Sequence, residues 1–153
     1  MSNLIACFSA EGTTLKLAEA LAQTTGAKLF PIVPEKPYTK ADLRYQNPLA
    51  RCNREKIGKK DVPVAGTVKD FASYDTVLLG FPIWYYGAPN VVNTFCKGYD
   101  WTGKRVLVFA TSGGSDIGKT MIKLAPYLQG ADIAGGKVVK DFAELKEWTE
   151  KVL

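Results

Sequence analysis

The stretch Leu4-Ile5-Ala6-Cys7-Phe8-Ser9-Ala10-Glu11-Gly12-Thr13-Thr14 passes through three local patterns in succession. Residues 4–8 form an unbroken apolar run, which reads as a strand covered on both faces. Ser9 to Thr13 is a turn of mainly small and hydroxyl-bearing residues. From Thr14 to Thr25 the apolar positions Leu15, Leu17/Ala18 and Leu21/Ala22 recur at helical spacing, and Gly26 suits a C-terminal cap. Strand, tight turn and helix in that order make the first half of a βαβ unit.

Working outward, the unit recurs. Ala27–Val33 reads as a second strand and Thr76–Phe81 as a third, the latter followed by a loop Pro82–Ala88 and a helix from about Pro89 to Tyr99. Arg105–Ala110 is a fourth strand, followed by a loop Thr111–Gly118 and a helix to about Leu128. A weaker strand near Ile133–Val139 precedes a last helix from Phe142 to Leu153. Continuous apolar strands alternating with helices imply a parallel sheet covered on both faces. The expected fold class is therefore α/β: a three-layer doubly wound sandwich with a five-stranded parallel sheet, order 2-1-3-4-5, in one domain over residues 1–153. The stretch Pro34 to Asp70 breaks the rhythm. Within it Thr39-Lys40-Ala41-Asp42 resembles a capping box, and Asn47-Pro48 places a cap before a proline. One or two short surface helices are expected there, then a loop through Pro63 and Gly66.

Composition narrows the chemistry. The chain has 153 residues, 46% hydrophobic and 23% charged, ordinary for a soluble globular protein. Histidine is absent, which excludes Ser-His and Cys-His nucleophilic pairs and imidazole metal sites. The three cysteines, Cys7, Cys52 and Cys96, are far apart and suggest buried or spare thiols in place of a disulfide framework or zinc site. No apolar run approaches the length of about 18 residues that a membrane span needs. Met1-Ser2-Asn3 leads into an apolar run without a basic region, so no secretory signal is expected and the cytoplasm is the expected location.

The net charge of +5 is uneven. Val33 to Asp61 holds eight Lys/Arg against four Asp/Glu, whereas the remainder holds twelve against eleven. A solvated basic face is one reading; a docking surface for acidic redox partners is the sharper one. No nucleic-acid motif accompanies the charge.

In an open parallel sheet, ligands bind outside the carboxyl ends of the strands where the order reverses. Three loops should meet there. Ser9-Ala10-Glu11-Gly12-Thr13-Thr14 joins a strand to a helix N-terminus, where free N–H groups, the helix dipole and hydroxyls favour an anion. It lacks a lysine for a triphosphate, so a phosphate monoester fits; a plain N-cap is the alternative. Pro82-Ile83-Trp84-Tyr85-Tyr86-Gly87-Ala88 carries three consecutive aromatics, at least one of which should face the mouth as a shelf for a flat fused ring, core filling being the alternative. Thr111-Ser112-Gly113-Gly114-Ser115 lets backbone amides approach a polar ring edge, or else serves only chain reversal.

Gly113 to Thr120 also reads G-G-S-D-I-G-K-T, a literal P-loop match after a strand and before a helix. A nucleotide triphosphatase is disfavoured. The chain ends at Leu153, too soon for the rest of such a sheet, and the strands lack a metal-binding Asp except near Lys137–Asp141.

Taken together, these loops make the chain resemble the flavodoxin-like FMN-binding family, in its bacterial form with a P-I-W-W-G loop. Ser9-Ala10-Glu11-Gly12-Thr13-Thr14 resembles the S-x-T-G-x-T phosphate loop, Tyr74-Asp75-Thr76 through Trp84 with Pro89 and Thr94-Phe95 resembles the ring-stacking region, and Phe109 to Ser115 resembles the third loop. The segment Pro37-Tyr38-Thr39 with Asp42-Leu43 is similar too. The resemblance implies that Ser9, Ala10, Glu11, Gly12, Thr13 and Thr14 hold the FMN phosphate. It implies that Pro82, Ile83, Trp84 and Tyr85 flank the isoalloxazine, and that Thr111, Ser112, Gly113, Gly114 and Ser115 cover its other side and pyrimidine edge. A backbone carbonyl near Gly87, free to reorient, would accept a hydrogen bond from the ring. Glu11 departs from the usual Thr or Ser, and Tyr85 stands where a second Trp is common. The function implied is low-potential electron transfer; the alternative is a small NAD(P)H- or quinone-dependent flavin reductase, because shuttle flavodoxins are usually acidic and this chain is basic.

Overall fold

The computed structural model describes residues 3–9, 12–36, 39, 51, 62–84, 87–111 and 117–153. Five parallel strands form the main sheet: β1 (Asn3–Cys7), β2 (Lys28–Pro31), β5 (Thr76–Pro82), β6 (Arg105–Thr111) and β7 (Asp132–Val138). Their spatial order is β2-β1-β5-β6-β7, which is the expected 2-1-3-4-5. Among the described residues, α1 (Thr13–Thr25), α2 (Asn90–Lys97) and α3 (Gly118–Leu124) join successive strands, and α4 (Phe142–Val152) follows the last.

Alternation along the strands sorts the core into two layers. Leu4, Ala6, Val77, Leu79, Phe81, Val106 and Val108 face α2 and α3, where Val91, Val92, Phe95 and Leu124 meet them. Ile5, Cys7, Leu78, Leu107 and Phe109 face α1 and α4, meeting Ala18, Leu21 and Leu145. The central strands have no polar face because both faces are covered, which is why they read as unbroken apolar runs. Thr14, Ala18 and Leu21 form the buried stripe of α1, and Gly26, at φ 75°, ends it by returning its N–H to the Ala22 carbonyl. Asp141 caps α4 by accepting the Glu144 N–H at 2.9 Å.

Two expectations are corrected in the second crossover. The second strand ends at Pro31, short of Val33. Ile32 still donates to the Cys7 carbonyl, but β3 (Val33–Pro34) turns away and pairs antiparallel with β4 (Val64–Ala65). A two-stranded ribbon thus replaces part of the loop expected through Pro63 and Gly66. Proline at 31 and 34 supplies no N–H to continue the parallel ladder. The helices expected at Thr39–Asp42 and Asn47-Pro48 lie outside the described residues, apart from Thr39. Arg51 departs from the solvated basic face: it is buried and donates to the Lys36 carbonyl at 2.7 Å.

At the far end of the sheet Lys104 is also buried. Its ammonium donates to the Phe71 and Tyr74 carbonyls at 2.9 and 2.6 Å and lies 4.7 Å from the Phe71 ring centre. This fastens the turn that feeds β5, since a buried cation keeps its charge only where acceptors replace water. Among the described residues, no helix is long and apolar enough to cross a membrane.

Close strand packing hinges on Gly80, in the middle of β5. A Cβ there would stand 2.3 Å from the Phe109 ring, which occupies the vacant space beneath α1. Gly80→Ala is expected to lower stability by roughly 1–3 kcal/mol through overpacking, read as a lower urea midpoint at unchanged m-value.

Candidate functional site

The rim at the carboxyl ends of β1, β5 and β6 gathers the predicted loops. Strand pairing runs one residue further than expected, so Pro82 and Thr111 are the last paired residues of β5 and β6 and face each other in register. α1 starts one residue earlier than expected, so Thr13 joins Thr14 in its first turn. Ala10, Glu11, Tyr85, Ser112, Gly113, Gly114 and Ser115 lie outside the described residues.

Gly12 creates the helix start. At φ 92° it occupies the left-handed region that suits glycine, and no atom comes within 4 Å of where its Cβ would stand. Its N–H is taken by Ser9 Oγ at 2.9 Å, and its carbonyl accepts the first helical bond, from Lys16 N–H at 3.0 Å. The N–H groups of Thr13, Thr14 and Leu15 precede that bond, with no side-chain cap and no acidic residue in the first turn. Serine's hydroxyl accepts from Gly12 and so keeps its own proton for another acceptor. A thirteen-residue helix therefore presents its positive dipole end and donors at an open glycine turn.

At the carboxyl end of β5, on the same rim, stands Trp84. Its ring meets Phe8, the residue after β1, edge to face at a centroid distance of 5.7 Å and an angle of 87°. Trp84 is half-buried, as are Ile83 and Pro82. Trp84 N–H donates to the Gly87 carbonyl at 2.9 Å, and Gly87 N–H returns the bond at 3.0 Å. The Gly87 carbonyl itself is engaged by its own loop, and the neighbouring residues 85–86 lie outside the described residues. Ile83 N–H donates to the Thr111 carbonyl at 2.9 Å.

One link escaped the sequence reading. The hydroxyls of Thr14 and Thr111 lie 2.9 Å apart, joining the first and third loops over 97 positions of chain. No local pattern announces it. Phe8 as the support of Trp84 was likewise read only as strand, since the partner lies on another crossover.

Of the P-loop match only Ile117 to Thr120 lies among the described residues, and Thr120, its hydroxyl residue, is fully buried in the first turn of α3. Asp141, the nearest acidic candidate for a metal, spends its carboxylate as the cap of α4. Among the described residues, no group of three or more Cys, Asp or Glu is arranged to hold a metal ion.

A family model described as Flavodoxin matches residues 2–152. The chain belongs to the flavodoxin family. Among solved structures, a candidate flavoprotein from Bacteroides eggerthii DSM 20697 is 36% identical, over 99% of this chain and 97% of its own, with a TM-score of 0.90. Another, from Bacteroides uniformis ATCC 8492, is 34% identical over 97% of each chain, also at 0.90. A flavoprotein from Lactobacillus acidophilus NCFM, solved in complex with FMN, shares the fold at 22% identity, with 97% and 98% of the two chains covered and a TM-score of 0.72. No curated protein matches the chain significantly.

Two cysteines of this flavodoxin-family chain are inert for a physical reason. Burial, with Glu19 adding in the same direction, pushes the Cys7 thiol from its ordinary 9.0 to about 12, and burial raises Cys96 as well. Both stay protonated in the fold, whereas unfolded thiols ionise near pH 9. Their contribution to stability is complete below that pH and is lost as pH rises above it, for Cys7 toward about 12. In a Cys52→Ser variant, a thiol reagent at pH 8 should find no reactive group in the folded protein and two after denaturation. The fall in urea midpoint above pH 9 should be shallower in Cys7→Ala than in the parent.

Proposed function

We propose that the chain binds FMN non-covalently at this rim and passes electrons through it to protein partners. The observation that carries the reading is the open, uncapped start of α1 standing at the same rim as the braced, half-buried Trp84. The residues fit the cofactor's two ends. The N–H groups of Thr13, Thr14 and Leu15, with the Ser9 hydroxyl, suit a phosphate dianion, and the absence of a Cβ at Gly12 leaves room for it. Trp84 offers an aromatic body for the ring, with Ile83 and Pro82 beside it.

When bound, FMN supplies the redox chemistry, and the protein supplies binding, orientation and electrostatics. Ser9 and the helix start hold the anionic end away from the ring. Phe8 fixes the plane of Trp84, so that the aromatic surface is already formed before a ligand arrives. The paired backbone bonds of Trp84 and Gly87 keep this loop from spreading. The FMN complex of the Lactobacillus protein supports the same assignment through a shared fold.

Charge favours acidic partners. The net charge of +5 is concentrated in Val33 to Asp61, where eight Lys/Arg stand against four Asp/Glu, and such a basic segment would attract an acidic carrier. The same charge supports a second reading, a small flavin reductase that takes hydride from the anionic NAD(P)H.

Purified protein should be yellow, or should take up added FMN at micromolar or tighter affinity; colourless protein that takes up none overturns the proposal. Trp84→Ala should weaken FMN binding by roughly tenfold, followed by flavin fluorescence. Anaerobic addition of NADPH separates the two roles: an unchanged visible spectrum fits the carrier, and rapid bleaching fits the reductase.

A further inference from the structure

Thr111 touches all three loops of the rim. Its carbonyl receives Ile83 N–H from the second loop, its chain continues into the third, and its hydroxyl lies 2.9 Å from that of Thr14 in the helix turn that ends the first. β1 and β6 are not neighbours, because β5 separates them, so the hydroxyl pair bridges across the end of β5 where Pro82 faces Thr111. Thr14 is 1% exposed. Its hydroxyl is paired inside the protein with that of Thr111.

We propose that the Thr14–Thr111 hydroxyl pair is a latch that holds the anion-binding start of α1 at a set distance from the ring loops, which makes Thr111 a positioning residue for the phosphate of FMN. The inference rests on the FMN reading of the site. A ligand with two anchored ends gains from its second contact only when the two subsites stand at the spacing its own bonds impose. α1 is attached to this rim by the short turn after β1 and by packing on the face below. The latch adds the lateral tie to β6, from which the third loop departs. A ligand with a ring and no phosphate is insensitive to that spacing, so FMN and riboflavin report on it differently.

The chemistry of the pair also supplies a folding control. Removing the Thr111 hydroxyl leaves that of Thr14 buried without this partner, at a cost in stability; replacing both by valine removes donor and acceptor together and is close to neutral. The full-length chain freed of flavin is therefore titrated with FMN and with riboflavin in the parent, Thr14→Val, Thr111→Val, the double valine variant and Thr111→Ser. The preference for FMN over riboflavin should fall roughly five- to tenfold in each valine variant, no further in the double than in either single, and return in Thr111→Ser. Thr111→Val with an intact preference overturns the latch. So do single losses that add in the double, which means separate contacts with the ligand, and so does an equal weakening of both ligands, which means general loosening. A parent chain that binds neither flavin, or binds both alike, overturns the FMN and anion assignment itself, an outcome distinct from failure of the latch.

Discussion

Parallel strands cannot be joined by tight turns, and this constraint arranges everything else. Each of β1, β5 and β6 must be followed by a crossover that returns over a face of the sheet, so all three chains leave at the same edge. The faces are closed by helices, and the sheet therefore offers ligands only its rim. At that rim the order steps outward from β1 to β2 on one side and to β5 on the other, which parts the crossovers and leaves a crevice.

What fills the crevice follows from how each chain leaves its strand. After β1 the backbone turns through Gly12 in the left-handed region and starts a helix at once, so that donors with no intrahelical partner face outward. After β5 the chain stays half-buried through Trp84, whose ring leans on Phe8 at the end of β1. After β6 it is held by Thr111, through both carbonyl and hydroxyl. Polar and apolar demands are thereby met within a few residues of each other. Each loop is braced by a neighbour that is distant along the chain.

The residues that resist simple reading are those whose partners come from another crossover. Gly80 looks like a weak point in an apolar strand, yet it is the space into which the Phe109 ring fits. Arg51 counts as surface charge in any tally, but it folds back onto the Lys36 carbonyl. Lys104 counts the same way and instead fastens the turn at Phe71 and Tyr74. Thr120, the hydroxyl residue of the literal P-loop pattern, is packed inward by the short helix it belongs to.

By itself the sequence determined the class of fold, the order of strands and helices, and the loops that carry Ser9, Gly12 and Trp84. Those features are written in local period and in the residue types that turns and helix starts require, so a single pass along the chain reaches them. Tertiary structure alone decided that β2 stops at Pro31 and gives way to a ribbon with residues 64–65, that Phe8 braces Trp84, and that Thr14 and Thr111 share a hydrogen bond. The reason is the range of the forces involved. Periodicity records which face of an element is dry, but a hydrogen bond across 97 positions exists only once five strands have been laid side by side.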